Sequence, residues 1–245
     1  MQKTIVITDL TKMWGDGVCI AGIDHHSQCI RPVLPGGVRR RHLYVGNMLV
    51  IRPRAKVKFD FNEVPIKPPH MENFGFDPSS IKYQGSCADT EWETVLQESL
   101  FRSVHDIYDG LLQEGRWVAP GANTRSLGTV TQIQIREVRL EIQTGNRRYR
   151  LYFTDAMGHQ YDDVTISEMA FRAFSDAQAN RLGSSIAAST YVKNLLRGAD
   201  RLYLRLGLAG PWAPPNTSFG LRCWMQVTGI YTFPDYLEGK SFADF

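Results

Sequence analysis

The sequence predicts a mainly β protein with helical insertions, an α+β fold, and three observations lead to this prediction. Short runs rich in Val, Ile and Cys, bounded by turn residues, follow one another near the N-terminus, as strands do. Later segments alternate apolar and polar residues with a period of two, which is typical of half-buried strands. Two other regions have helical spacing, one between the two groups of strands and one inside the second group. With 245 residues, 43% of them hydrophobic, the chain can build a proper core.

The first group of strands begins with three short runs and a loop. Thr4–Ile7, Val18–Ile23 and Gln28–Val33 have the composition of strands. Asp24–Ser27 is short enough to join the second and third of these runs as a hairpin. The loop that follows, Leu34–Arg41, is rich in Pro, Gly and Arg.

A longer alternating segment, Asn47–Phe61, is predicted to form the next strand. Its apolar residues, among them Val57 and Phe59, hold odd positions, whereas its basic residues hold even positions. One face of the strand is therefore apolar and the other positive. Pro53 indicates an edge or a bulge, because proline cannot donate to a strand ladder. The next stretch, Asn62–Tyr83, is predicted to be a loop because it carries four prolines.

An acidic helix is predicted from about Asp89 to Leu112, where apolar residues such as Trp92 and Leu96 recur at helical spacing. Residues 87–114 hold seven acidic residues and one arginine. Two arrangements are open. The helix either lies across the positive strand face as an internal electrostatic clasp, or lies elsewhere and leaves that face available to a partner.

The second half has the clearest order of elements. Val130–Gln143 alternates strongly, with a change of phase near Arg136 that predicts a long bent strand with a bulge. Gly145-Asn146 is a turn signal. The remaining predicted elements are the strands Arg147–Thr154 and Gln160–Ile166, a helix that Ser167-Glu168 opens and that runs to about Asn180, a helix near Ser185–Leu196, and the strands Arg201–Ala209 and Leu221–Phe233.

Three strands, a helical insertion and two strands is the element order of an OB fold, a five-stranded barrel. The first half, with a strand, a hairpin pair, a loop and a long strand, is compatible with a second such barrel but is less complete. We therefore predict two OB-like five-stranded barrels. Residues 1–86 are assigned to the first, residues 87–128 to an acidic helical bridge, and residues 129–245 to the second.

Composition limits the possible functions. The 28 basic and 25 acidic residues give a net charge of only +3, and no run is apolar enough for a membrane span. The N-terminus has no signal-peptide pattern, and the four cysteines have no zinc-ligand spacing. We expect a reduced cytoplasmic protein without a metal site, a cofactor or a membrane partner. No catalytic or nucleotide-binding sequence signature is present.

Positive charge is concentrated in one acid-free stretch. Between Asp24 and Asp60 the chain holds eight Lys and Arg residues, which is the footprint that a phosphate-bearing partner needs. The alternative is a solvated strand face that acids elsewhere balance. OB barrels bind single strands with a basic groove and aromatic platforms. The predicted contacts are Arg39, Arg40 and Arg41 in the loop, Arg52, Arg54, Lys56 and Lys58 on the strand face, Trp14 and Tyr44 for stacking, and Arg148, Arg150 and Tyr152 in the second half.

Arg31 lies within an apolar predicted strand, between Ile30 and Pro32. A guanidinium at such a position either pairs with a buried carboxylate or reaches a ligand. Asp24 is the nearest carboxylate across the hairpin, and we favour this ion pair, although Arg31 is retained among the candidate nucleic-acid contacts.

His70 and Glu72 follow a Pro-Pro pair that stiffens the backbone. They form a binding loop, a catalytic acid–base pair, or part of a strap across the barrel with His70 capping a strand end. The strap is the favoured interpretation, so we expect a binding protein rather than an enzyme.

Several separated segments resemble the dual OB domain-containing proteins of prokaryotes. They are Val18–Asp24 followed by Cys29–Val33, then Pro68–Glu72, Leu204–Leu208 and Trp224–Tyr231. The resemblance implies two OB barrels and a nucleic-acid or nucleotide role, in defence or mobile-element settings.

The leading hypothesis is a non-enzymatic protein that binds single-stranded DNA or RNA. The first alternative is an enzyme that acts on a nucleotide, a nucleic acid or a modified base, with His70 and Glu72 as its acid–base pair. The second alternative is an interaction subunit whose acidic helix docks a protein partner.

Overall fold

The computed structural model describes residues 1–143, 146–215 and 220–245. Its N-terminal strands are β1 (Gln2–Lys12), β2 (Gly17–Asp24), β3 (Cys29–Val33), β4 (Val38–Arg39), β5 (Tyr44–Val45), β6 (Met48–Leu49), β7 (Ala55–Asn62), β8 (Asn73–Phe76) and β9 (Lys82–Ser86). The helices α1 (Asp89–Glu98) and α2 (Val104–Ile107) follow. The remaining elements are β10 (Trp117–Val118), β11 (Leu127–Thr131), β12 (Gln134–Gln143), β13 (Asn146–Thr154), β14 (Gln160–Ile166), α3 (Met169–Leu182), α4 (Ser185–Arg197), β15 (Arg201–Leu208) and β16 (Cys223–Phe233).

Five N-terminal strands close into a barrel, here called the first barrel. Their order is β1, β2, β3, β8 and β7, and β7 pairs back to β1. The pairing of β3 with β8 is parallel and the others are antiparallel. This order is that of an OB barrel, so the predicted fold is confirmed for the half whose sequence pattern was less complete. The barrel interior holds apolar side chains such as Ile5, Ile20, Ile30 and Phe59.

Two predictions for the first barrel are wrong. Asn47–Phe61 is not one strand, because Pro53 is followed by Arg54 in a left-handed conformation with φ of 72°, which separates β6 from β7. The predicted loop Asn62–Tyr83 contains β8, the strand that completes the barrel. Its Gly75 lies against Asn62 of β7, where a Cβ atom would come within 2.6 Å of the Asn62 side chain.

The second sheet has the order β11, β15, β16, β14, β13 and β12, with β14 parallel to β16. Only Gln132 and Ile133 separate β11 from β12, and Gln132 has a φ of 53°. The two segments together occupy the position of the first strand of an OB barrel. The predicted bulge near Arg136 is confirmed by a register shift between Ile135 and Glu137. Of the turn predicted at Gly145-Asn146, Gly145 lies outside the described part of the chain, and Asn146 is the first residue of β13.

The predicted single acidic helix is wrong, since α1 and α2 are separate short helices. Between them Phe101 donates its backbone N–H to the carbonyl oxygen of Thr129 over 2.8 Å, and the Ser103 side chain caps the start of α2. The apolar face of α1 is buried through Trp92 and Leu96.

The helices α3 and α4 lie near their predicted positions, and Glu168 caps α3 by accepting backbone N–H groups from Ala170 and Phe171. Lys12 at the end of β1 donates its N–H to the carbonyl oxygen of Ser167 over 2.9 Å, which holds the β1–β2 loop beside the start of α3. Within the described residues, no helix is both long and apolar enough to span a membrane. The division at residues 86 and 128 stays a prediction.

Candidate functional site

The outer face of β2 and β3 in the first barrel is turned towards the second sheet. Alternation along these strands places Ile20 and Ile30 inside the barrel and Cys19 and Arg31 outside it. A cavity of about 450 Å3, here called the inter-sheet cavity, separates this face from the second sheet. The face of the second and third strands is where OB barrels commonly hold ligands. The opposite wall consists of Leu127, Leu208, Gln226 and Thr228.

Arg31 lines this cavity, and no carboxylate pairs with it among the described residues. Its side chain is 6% exposed, and its buried Nε has no hydrogen-bond partner among the described residues. The expected ion pair with Asp24 is wrong. The Asp24 carboxylate instead accepts from Lys3 Nζ over 2.9 Å and from backbone N–H groups within its own turn. Lys3 lies two residues before Ile5, where the hydrophobic run of β1 begins. Its position in the sequence therefore does not indicate that it is the partner of Asp24.

Asn73 is the register partner of Arg31 in the parallel pair of β3 and β8. It also lines the inter-sheet cavity, and within the described chain its buried Oδ1 accepts no hydrogen bond. The cavity therefore contains a donor and an acceptor, on neighbouring strands, that both lack partners. Buried polar atoms are normally paired, so this adjacent set can take its partners from a ligand or from water.

His70 and Glu72 are both directed to the second sheet. His70 Nε2 lies 3.1 Å from the carbonyl oxygen of Leu208, the last residue of β15. Burial, together with the charge of Arg31, lowers the pKa of His70 to about 4, so the ring is neutral near pH 7. The Glu72 carboxylate accepts from Ser126 N–H over 2.6 Å and from Ser126 Oγ over 2.7 Å. Both residues strap the segment before β8 to the second sheet.

The β1–β2 loop carries an exposed indole, that of Trp14, at its tip. Met13 N–H donates to the carbonyl oxygen of Gly17 over 2.9 Å, and Gly15 adopts a φ of 62°, so the chain turns tightly at Trp14. The Trp14 side chain is 96% exposed. Trp14, Met13 and Lys12 line the inter-sheet cavity and also a second depression of about 970 Å3, here called the α3 groove.

The α3 groove combines positive and aromatic side chains. Arg172 and Asp176 lie one turn apart on α3, and Arg147 and Tyr149 lie on one face of β13. Arg147 pairs with Asp176 over 2.8 Å, and Arg172 lies 4.4 Å from the centre of the Tyr149 ring. Further lining residues are Lys12, Trp14, Arg40, Tyr44 and Phe242.

The structure brings together three of the predicted contacts, Trp14, Arg40 and Tyr44, in this groove. Arg40 lies 5.8 Å from the Phe242 ring, and no ion pair engages it or Lys12 in the described part of the chain. Arg39 and Arg41 are exposed on either side of Arg40.

The predicted contacts on β7 and in the segment just before it lie outside the α3 groove, beside α1 and β9. Arg54 pairs with Asp89 over 2.8 Å and Lys56 pairs with Glu91 over 2.6 Å, so α1 forms the electrostatic clasp for these two residues. Arg52 donates to Ser86 Oγ over 3.2 Å. Lys58 lies on β7 opposite Lys82 of β9.

The predicted contacts in the second half lie on the outer face of β13 and β14. Arg150 bonds Thr165 Oγ1, and Tyr152 donates to Asp163 over 3.3 Å while Arg139 lies 4.5 Å from its ring. Arg148, which is exposed, lies opposite Glu141 in the register of β12 and β13. The structure does not bring these residues to the α3 groove.

Sequence reasoning missed Asn73, Arg147 and Arg172, whose positions depend on contacts between distant segments. It also missed the buried pair of Asp9 and Arg205, which joins β1 to β15. A signal for this pair was present, because each residue is a charge between uncharged neighbours in the interior of a strand.

A comparison with protein families gives a match to the dual OB-containing domain over residues 3–230. The matched residues extend from β1 to most of β16, so the match includes both the first barrel and the second sheet. No curated protein and no solved structure is significantly similar to the chain.

Proposed function

The chain belongs to the dual OB-containing domain family, and we propose that it binds single-stranded DNA or RNA in the α3 groove. The observation that carries this proposal is Trp14, an indole that is 96% exposed at the tip of the β1–β2 loop. In OB barrels this loop commonly contacts oligonucleotides. An exposed aromatic side chain beside a positive groove is suited to stack on an unpaired base.

The charges of the groove support a phosphate-bearing ligand. Lys12 and Arg40 reach it without an ion pair in the part of the chain that the structure describes, and Arg39 and Arg41 flank Arg40. Arg172 adds a further positive charge that rests on an aromatic ring rather than on a carboxylate. Lys and Arg that hold phosphates make binding weaker as salt concentration rises.

Single strands fit this site better than duplexes for a physical reason. Bases must be unpaired to stack on an indole, and Trp14 and Tyr44 line the same groove as the positive residues. The proposal includes a role in a prokaryotic defence or mobile-element system, which rests on family resemblance alone.

The proposal is tested by fluorescence anisotropy with labelled single-stranded DNA, single-stranded RNA and duplex DNA of about a dozen nucleotides, a length within the range that OB barrels cover. We expect the protein to bind a single strand more tightly than the duplex at low salt. Equal affinity for all three, or no binding to any, would contradict the proposal.

The two alternatives have less support. Catalysis by His70 and Glu72 stays a prediction, and both side chains are held by the second sheet rather than by each other. Loss of turnover in His70→Ala, with oligonucleotide binding retained, would favour it. Docking of a protein partner on α1 is also open, but Asp89 and Glu91 are already paired with Arg54 and Lys56.

A further inference from the structure

The inter-sheet cavity contains a buried arginine, Arg31, that makes no ion pair among the described residues. Arg31 is 6% exposed, and its Nε lacks a partner among the described residues. Burying an unpaired charge destabilises a fold, so such a residue is normally paired or bound to a ligand. Among the described residues, the carboxylates beside the cavity make their hydrogen bonds with other groups than the Arg31 guanidinium. Asp9 is bonded to Arg205, and Glu72 is bonded to Ser126.

From this arrangement we infer that the inter-sheet cavity binds a nucleoside monophosphate, with the phosphate on Arg31 and a base N–H group on Asn73. The nucleotide is either free or the phosphorylated end of a strand. Binding of a strand end in the cavity rests on the proposed function, whereas binding of a free nucleotide is independent of it.

The charge of the cavity favours a phosphate monoester. His70 is neutral near pH 7, so the positive groups that line the cavity without a partner in the described chain are Arg31 and Lys12. Their positive charge is opposite in sign to that of a monoester, which is close to −2 at neutral pH. The guanidinium group also has the planar donor geometry that phosphate oxygens accept.

The size and walls of the cavity favour a nucleotide over a phosphate ion. A volume of about 450 Å3 lies in the range of small-molecule sites, and a phosphate ion would leave most of it unfilled. Val33, Val38, Leu127 and Leu208 provide apolar walls for a flat ring. The free Oδ1 of Asn73 requires a donor from the ligand, which a base amino or imino group supplies.

The cavity also adjoins the α3 groove. Lys12, Met13 and Trp14 line both spaces, so a strand in the groove could direct its terminal nucleotide past this loop into the cavity. The exposed Trp14 shows that the cavity meets the surface at the loop.

The first test is isothermal titration of the protein with nucleoside monophosphates, with the matching nucleosides and with inorganic phosphate. At least one monophosphate is expected to bind about tenfold or more tightly than its nucleoside and than phosphate, because hydrogen bonds to charged groups are strong. A parallel anisotropy titration compares a 5′-phosphorylated oligonucleotide with its 5′-hydroxyl form. If only the free monophosphate binds in the cavity, the ligand is a free nucleotide. If the 5′-phosphorylated oligonucleotide also binds more tightly than its 5′-hydroxyl form, the cavity accepts the end of a strand as well.

The decisive variant is Arg31→Met, with Arg102→Met as the matched control, because Arg102 is an exposed arginine outside both spaces. Arg31→Met should weaken monophosphate binding about tenfold or more, and should keep or raise the melting temperature because it removes an unpaired buried charge. Arg102→Met should change neither. If Arg31→Met does not fold, Asn73→Ala is the second variant, and it should also weaken monophosphate binding.

Three results would overturn the inference. The first is that neither a monophosphate nor a 5′-phosphorylated end is preferred over its unphosphorylated form. The second is that inorganic phosphate binds as tightly as every nucleotide. The third is that Arg31→Met binds like the parent. Arg40→Glu separates this inference from the proposed function, since it should weaken oligonucleotide binding in the groove while free monophosphate binding persists.

Discussion

Arg205 on β15 donates from Nε and Nη2 to one carboxylate oxygen of Asp9 on β1, over 3.0 and 2.8 Å, and so links the second sheet to the first barrel. Asp9 is 2% exposed and Arg205 is 1% exposed. Thr8 and Thr228 also donate to Asp9, and Thr129 accepts from Arg205 Nη1. Burial alone raises the pKa of Asp9, but the Arg205 charge and these hydrogen bonds outweigh burial and lower it. The carboxylate therefore stays ionised, and the pair fixes the two walls of the inter-sheet cavity relative to each other.

Breaking this pair from one side should destabilise the protein strongly. Arg205→Met leaves the Asp9 carboxylate buried without its counter-charge, which should lower the free energy of unfolding by about 3–5 kcal/mol. The double variant Asp9→Leu with Arg205→Met should recover much of this loss, since neither charge remains. Urea denaturation of the parent, both single variants and the double variant measures the coupling.

Lys240→Met is the control for that experiment. Its ion pair with Glu238 is solvent-exposed, so its loss should change the free energy of unfolding by less than about 1 kcal/mol. An Arg205→Met effect as small as this one would mean that the buried pair does not hold the two sheets together.

His70 should make the protein less stable in mild acid. Its pKa is lowered from 6.5 to about 4 in the folded state, chiefly by burial and then by the charge of Arg31. The unfolded chain therefore binds more protons between these two values, and the contribution of His70 to stability is lost as pH falls from about 6.5 towards 4. At its largest this contribution is about 3 kcal/mol.

Urea denaturation at about pH 7 and at about pH 5 measures this effect in the parent and in His70→Gln. The variant keeps a side-chain donor for the carbonyl oxygen of Leu208 but cannot titrate. The loss of stability between the two pH values should be smaller in the variant. An identical loss in both proteins would show that His70 is not the group responsible.

Trp14 should contribute to binding but not to stability. Its side chain is 96% exposed, so Trp14→Ala should leave the melting temperature unchanged. The same variant should weaken single-strand binding by about 1–3 kcal/mol, the range found for base stacking on an aromatic residue. Fluorescence anisotropy measures the loss of single-strand affinity, and thermal melting measures whether stability is unchanged. Trp212→Ala removes another exposed indole, outside the α3 groove, and should leave oligonucleotide affinity as it is.

The two groups of basic residues should differ in their effect on oligonucleotide binding. The triple variant of Arg39→Glu, Arg40→Glu and Arg41→Glu should abolish binding, because these residues reach the α3 groove or lie beside it. Lys56→Glu should change affinity less and should reduce stability, because the new carboxylate faces Glu91. Circular dichroism and melting of each variant establish folding. A stronger loss of affinity in Lys56→Glu than in the triple variant would assign the binding surface to β7.

Local periodicity predicted most strands of the molecule, but it did not predict β8 or the break between α1 and α2. Alternation is strong in β12 and β13, and the bulge near Arg136 could be seen as a change of phase. The strand β8 was missed because it has four residues, includes Gly75 and is held by its neighbours β3 and β7 rather than by its own pattern. The segment that contains α1 and α2 was predicted as a single helix. Helical spacing does not reveal that Phe101, between them, donates its backbone N–H to Thr129 instead of to a residue of its own helix.

The candidate site was less accessible to sequence reasoning. Trp14 and Arg40 were identified by residue type and by their places in loops, and Tyr44 as an aromatic residue near the basic stretch. All three line the α3 groove. Arg31 was identified too, but its assigned partner was wrong because Lys3, across the β1–β2 pair, takes Asp24. The cavity itself exists only because the second sheet covers β2 and β3, and such a long-range contact has no local signature.

The salt dependence of single-strand binding is the sharpest test of whether the α3 groove holds a nucleic acid. The measurement is the affinity of the parent and of the double variant Lys12→Glu with Arg40→Glu for one labelled oligonucleotide, at roughly 50 and 200 mM salt. With two to four phosphate contacts, parent binding should weaken about seven- to fifty-fold between these concentrations, and the variant should bind far more weakly with a shallower dependence. A folded double variant with the affinity and the salt dependence of the parent would contradict the assignment of nucleic-acid binding to the α3 groove.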